Sequence, residues 1–157
     1  MAIRRPAPSR PAPAPRVVIT SSQSALRVPR KRLTELVAFV AGAEGVRIAQ
    51  VDLAVVASAE IAALNRRYLD HRGATDVISF DLSDPDDRGV VVQLVVCGDW
   101  AVQRGPLHGY RPQHELMLYV IHGLLHLTGH DDTTVRGRAA MHARQEQLLA
   151  DFLARRR

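Results

Sequence analysis

Four of the chain's seven histidines fall between His114 and His130. The central string reads His122-Gly-Leu-Leu-His126-Leu-Thr-Gly-His130-Asp131-Asp132. Residues four apart in a helix share one face, so His122 and His126 project side by side. At that spacing two imidazole nitrogens can meet one metal ion at ~2.0–2.1 Å each. Gly129 ends the helix and turns the chain back, and His130, Asp131 or Asp132 can then supply a third ligand. Three protein ligands plus a water would make an open zinc site of the catalytic kind. Without a metal, two imidazoles in an otherwise apolar helix would need two separate hydrogen-bonding solutions. The residue after His122 is Gly123. The glutamate of the HExxH peptidase motif is therefore missing, and peptide hydrolysis is the weaker reading. His114, two turns before His122, falls on roughly the same helical face and is a further candidate to line the site.

The helix that positions these histidines begins near Pro112, a good first-turn residue. It continues through Leu116, Leu118, Ile121, Leu124 and Leu125. Apolar residues surround it on all sides, which predicts a buried helix. Upstream, Val17–Ile19 reads as a short strand. Arg30–Ala43 carries Leu33, Leu36, Val37 and Val40 at helical spacing, and Gly45 follows as a stop signal. From Ala49 the pattern alternates, with Val51, Leu53 and Val55 on one face of a strand. Ser58 is placed to cap a helix running to about Leu69, with Ile61, Leu64 and Tyr68 as its buried stripe. Val77–Leu82 alternates again, and Ser83–Gly89 reads as a loop or hairpin connection. Val90–Val96 is nearly all apolar, as suits a strand covered on both faces. A short helix from Asp99 and a last one over about Thr133–Leu153 complete the chain. In that last helix Val135, Ala139, Leu148, Leu149 and Phe152 are expected to face inward. Strands and helices mix without strict alternation. The expected class is α+β: a small mixed β-sheet packed with helices around a buried histidine-bearing helix.

At 157 residues the chain suits one domain and can bury roughly two-thirds of its surface. Hydrophobic residues make up 46 %, too many for a disordered chain, yet no run approaches a membrane span. The single Cys97 excludes an intramolecular disulfide framework and a cysteine-rich zinc module, and fits a reducing, cytoplasmic compartment. The net charge of +5 is unevenly placed. Residues 1–16, MAIRRPAPSRPAPAPR, hold four arginines, five prolines and no acid, and the last three residues are all arginine. The stretch between is slightly acidic. We therefore expect a Pro/Arg-rich tail over 1–16, one domain over 17–154 and a basic tail over 155–157. The first segment cannot pack a core, and no apolar h-region follows its arginines to make a signal peptide. Such tails can dock onto nucleic-acid phosphates or serve only to solubilise.

The string HGLLHLTGHDD resembles the His-Gly-x-Leu-His-Leu-x-Gly-His/Tyr-Asp-His motif of the bacterial YbeY endoribonucleases, or rRNA maturation factors. A second block, LNRRYLDHRGATDVISF (Leu64–Phe80), is similar to that family's Leu-Asn…Tyr…Thr-Asp/Asn-Val-Leu-Ser-Phe segment. Together the blocks place the resemblance over about residues 17–153. It implies an α+β domain with one zinc held by three histidines. It also implies cleavage of single-stranded RNA, maturation of the 3′ end of 16S rRNA and ribosome quality control. Its partners would be ribosomal RNA and the small ribosomal subunit, in the cytoplasm. His122 and His126 match the first two zinc ligands. The family's third histidine falls on Asp132, so Asp132 is the first choice for the third ligand, with His130 its rival. An arginine that many members carry after the Tyr of the second block is Leu69 here. Arg66, Arg67 or Arg72 are candidates to replace it. Set against the nuclease is a non-catalytic ribosome assembly factor with a structural zinc.

Overall fold

The computed structural model describes residues 12–155. Of the two basic tails expected at the termini, residues 1–11 and Arg156 and Arg157 lie outside the described residues. Strands β1 (Arg16–Ser21), β2 (Ile48–Val56), β3 (Val77–Asp81) and β4 (Val90–Cys97) form one sheet in the order β1-β2-β4-β3. β1 and β4 each pair parallel with β2, while β3 pairs antiparallel with β4. Helices α1 (Arg30–Glu44), α2 (Ser58–Leu69), α3 (Gly98–Arg104), α4 (Pro112–Leu127) and α5 (Val135–Ala154) surround it. A 3-10 turn at Pro106–His108 joins α3 to α4. The class is the expected one, a mixed sheet in an α+β fold.

Strand β4 is buried on both faces, as its nearly all-apolar run predicts. Val92, Leu94 and Val96 join the main core with residues of α1, α4 and α5. Val95 and Cys97 join a smaller cluster with Val56, Ile78 and Ile61 of α2. Helix α4 lies against β3 and β4 at very close range, because Gly123 faces the sheet. A Cβ there would sit 2.9 Å from Leu94 Cδ2 and from Ser79 Oγ, and 3.0 Å from Val77 Cγ2. Ser79 Oγ also donates to the Gly123 carbonyl at 3.1 Å. A glutamate could not occupy this position without pushing helix and sheet apart. The absence of HExxH thus has a packing cause.

Three local expectations are corrected. Ser58 does not cap α2 with its side chain. Ala57 is the cap residue, and the Ser58 N–H donates to Asp99 Oδ2 at 2.6 Å. A carboxylate from α3, remote in sequence, replaces the local hydroxyl. Tyr68 is not buried but 56 % exposed. The inward face of α2 runs from Ile61 to Asn65, whose amide Nδ2 donates to the Gly73 carbonyl at 3.1 Å. The last turn is exposed, and Tyr68 there meets the edge of Phe80. On α5, Val135 and Ala139 are exposed, and burial begins at Met141. The first turns of that helix extend past the core.

Candidate metal centre

His122 and His126 come together at the end of α4, as their spacing demands. Their Nε2 atoms lie 3.0 Å apart, with the rings nearly perpendicular at 82°. Asp132 Oδ2 lies 3.2 Å from His126 Nε2. The three ligand atoms fall within 4.8 Å of one another. Two ligands each ~2.0–2.1 Å from a tetrahedral metal stand about 3.3 Å apart, so this donor set fits such an ion with little adjustment. Burial and the neighbouring His122 push the His126 pKa down, and the nearby aspartates only partly oppose this. A lowered pKa keeps the imidazole neutral, the form that binds metal.

Local chain geometry decides which acid arrives. Gly129 takes the left-handed conformation (φ 101°), and the His130 N–H reaches back to the Leu125 carbonyl at 3.2 Å, closing α4 with a Schellman-type turn. Asp131 is engaged within the loop. Its Oδ1 accepts the Thr133 N–H at 2.8 Å and its Oδ2 the Thr133 hydroxyl at 2.9 Å, which lowers its pKa. Thr134 then caps α5 by accepting the Gly137 N–H at 2.9 Å. Gly137 lets the helix close over the loop, since a Cβ there would stand 2.2 Å from the Asp131 carbonyl oxygen. Asp132 is left facing His126.

The rival ligand, His130, points elsewhere. Its Nε2 lies 3.0 Å from Glu44 Oε2 at the end of α1, and Arg144 Nε of α5 donates to Glu44 Oε1 at 2.7 Å. Glu44 therefore ties α1, the loop and α5 together. Burial alone would raise its pKa, but the two hydrogen bonds and the Arg144 charge bring it below the ordinary carboxylate value. On the other side, His122 Nδ1 donates to Gln145 Oε1 at 2.7 Å. That bond fixes the tautomer whose Nε2 lone pair faces the other two candidate ligands. Gln145 is nearly buried, and nothing in a polar residue on α5 announced this role.

Beside His122, toward the start of α4, lies a cavity of about 410 Å³. Asp76, Arg104, Glu115, Tyr119 and Gln145 line it. His114 is not among its lining residues. It faces the Arg111 and Arg32 charges, and burial followed by those charges lowers its pKa. The candidate arginines of the second block also lie apart from this cavity. Arg66 and Arg72 line a separate shallow cavity with Gly73. Arg67 stands with its guanidinium carbon 5.3 Å from the Tyr68 ring centroid. Arg104 is the arginine that borders His122's cavity, 3.5 Å above the Trp100 ring, and sequence reading did not single it out.

An α+β fold whose central helix carries two histidines toward a loop aspartate defines a protein with a candidate hydrolytic metal centre. The family model described as Endoribonuclease YbeY matches residues 18–153. The chain belongs to that family. A relative named Endoribonuclease YbeY from Nocardioides sp. is 33 % identical over 135 residues, covering 80 % of this chain and 90 % of its own. One of the same name from Moorella thermoacetica is 36 % identical, covering 79 % and 86 %. The solution structure of TM1509 from Thermotoga maritima shares the fold, with a TM-score of 0.58 at 23 % identity over 87 % of this chain and 88 % of that one. Among the described residues no helix is long and apolar enough to cross a membrane.

Proposed function

We propose that the domain over residues 17–154 is a zinc-dependent endoribonuclease that cleaves single-stranded RNA in the cytoplasm. It would bind the small ribosomal subunit and act in 16S rRNA 3′-end maturation and ribosome quality control. The observation that carries the reading is the convergence of His122, His126 and Asp132 at one point. Membership of the endoribonuclease family supplies the substrate class. One zinc per chain would be held by His122 Nε2, His126 Nε2 and Asp132 Oδ2, and the Asp132 carboxylate would leave the site less positive by one charge than three imidazoles. When bound, the ion supplies Lewis acidity toward a phosphoryl oxygen and activates water near neutral pH. The residues of the chain orient this chemistry. Gln145 holds the His122 tautomer, Glu44 anchors the loop through His130, and partial exposure of His126 and Asp132 leaves the site open to RNA. Partial exposure also favours this reading over a closed structural zinc.

The test is metal content and cleavage measured together on the full chain. Near one zinc per chain, with cleavage of single-stranded RNA lost on chelation and restored by zinc, is the expected result. A folded, zinc-loaded protein that cleaves no single-stranded RNA overturns the catalytic reading. Zinc content that survives Asp132→Ala but not His130→Ala would move the third ligand.

A further inference from the structure

Two of the residues lining the cavity beside His122 each hold a buried oxygen without a completed hydrogen bond. Glu115 is 1 % exposed, and while its Oε1 lies 2.8 Å from His108 Nδ1, its Oε2 has no hydrogen bond. Tyr119 Oη is likewise buried and unpaired. The hydroxyl faces the carboxylate: burial first, then the Glu115 charge and a hydrogen bond directed at Glu115, raise its pKa and keep it protonated. The two groups are nonetheless too loosely placed to complete that bond, so each falls short of a full partner. Buried polar atoms are nearly always satisfied, and a carboxylate oxygen with no donor has lost its hydration without replacement. Arg104 adds a cation on the cavity wall, its plane held against Trp100.

We propose that this cavity recognises a guanine base of the RNA substrate, with Glu115 Oε2 accepting from the base's N–H edge and Arg104 donating to its carbonyl oxygen. The proposal rests on the endoribonuclease reading for its substrate class. Guanine sets two N–H donors beside a carbonyl on its pairing edge, and this matches a carboxylate and an arginine that line the same cavity. Single-stranded RNA is read in this way, through splayed bases bonded on their pairing edges. The size is in the range of small-molecule pockets. The placement also fits. Glu115 precedes His122 by seven residues on α4, ~10 Å along the axis, about the reach from a phosphate to the far edge of its own base. A guanine held here would set a neighbouring phosphate at the metal ligands.

The experiment measures binding of GMP, AMP, CMP and UMP to the metal-stripped full chain. The phosphate is common to all four, so differences report the base. GMP is expected to bind at least about tenfold tighter than UMP or CMP, as a site with built hydrogen-bond partners discriminates. Glu115→Gln should bring the four to within a few-fold of one another. If Glu115→Gln does not fold, Arg104→Ala, at an exposed position, carries the test through loss of the GMP preference. Equal binding of the four nucleotides, or a preference untouched by these substitutions, overturns the pocket. RNA cleavage that continues in that case leaves the nuclease reading standing. Guanine-selective binding by a protein that cuts no RNA would do the reverse, supporting the pocket and removing the nuclease.

Discussion

His122 and His126 ride on a helix that is buried on nearly every side, while Asp132 hangs from a largely exposed loop. The two histidines are fixed by helical period and by the contact of Gly123 with the sheet. The aspartate is fixed by a Schellman-type turn, an Asp131–Thr133 turn, the Thr134 cap, the close approach at Gly137 and the Glu44–His130 pair. One half of the centre is thus held by the core that stabilises the whole protein. The other half is held by a handful of local contacts whose loss the fold can survive. Substitutions in the two halves should therefore separate metal affinity from stability.

The largest effect is expected from His126→Ala, which removes a proposed ligand from the helical half. Zinc affinity measured by chelator competition should fall by well over about a hundredfold, beyond the loss caused by an outer-shell partner. The melting temperature of the metal-free protein should hold or rise, because the substitution removes a half-buried imidazole and adds the best helix former. Gly137→Ala comes next and attacks the loop half alone. Its Cβ would stand 2.2 Å from a backbone oxygen, so the Asp131–Asp132 segment must shift. Zinc affinity should fall about tenfold to a hundredfold, with a change of only a few degrees in the metal-free melting temperature. Gly123→Ala is the converse test. Its Cβ contacts are with side chains at 2.9–3.0 Å, and overpacking there should cost about 1–3 kcal/mol, partly offset by helix propensity. A net loss of several degrees in melting temperature, with zinc affinity changed much less, would sharpen the comparison. If Gly123→Ala weakened zinc more than Gly137→Ala, the division into two halves would fail.

The same division explains what could be read from the sequence. Period alone placed His122 and His126 on one face, because a helix translates spacing directly into direction. It also gave the doubly buried β4 and the α+β class. Which of His130 and Asp132 stands beside His122 and His126 could not be read in this way. It depends on Glu44, 86 residues before His130, and on Arg144 across from it. Tyr68 shows the same limit: its spacing from Ile61 and Leu64 is helical, but only the tertiary packing, which leaves the last turn of α2 uncovered, shows that it is exposed. The cavity residues Arg104, Glu115 and Gln145 were missed for a related reason. They come from α3, α4 and α5, and no single stretch of chain shows them as neighbours. The signal that existed was a lone Glu115 within the most apolar helix, since a carboxylate there requires a partner or a task.

The smallest effect concerns Glu44, which joins the loop half to α1 and α5. Its folded pKa lies below the ordinary 4.5, so the unfolded chain takes up a proton at higher pH than the folded one. The stability this group contributes is therefore fully present above about the unfolded value and is lost as pH falls through the lower, folded value. Glu44→Gln keeps the shape but removes the charge that His130 and Arg144 share. At neutral pH it should cost about 1–2 kcal/mol in denaturant unfolding, the range for hydrogen bonds to a charged group near the surface. Measured across acid pH, the difference between wild type and variant should shrink below about 4.5 and close once the folded carboxyl is protonated. Zinc affinity at neutral pH should fall by a few-fold, less than for Gly137→Ala, because the Asp131–Thr133 turn and the Thr134 cap still shape the loop. A constant difference across that window would mean that Glu44 stabilises by packing rather than by charge. No loss of zinc affinity would mean that the loop positions Asp132 without its tie to α1.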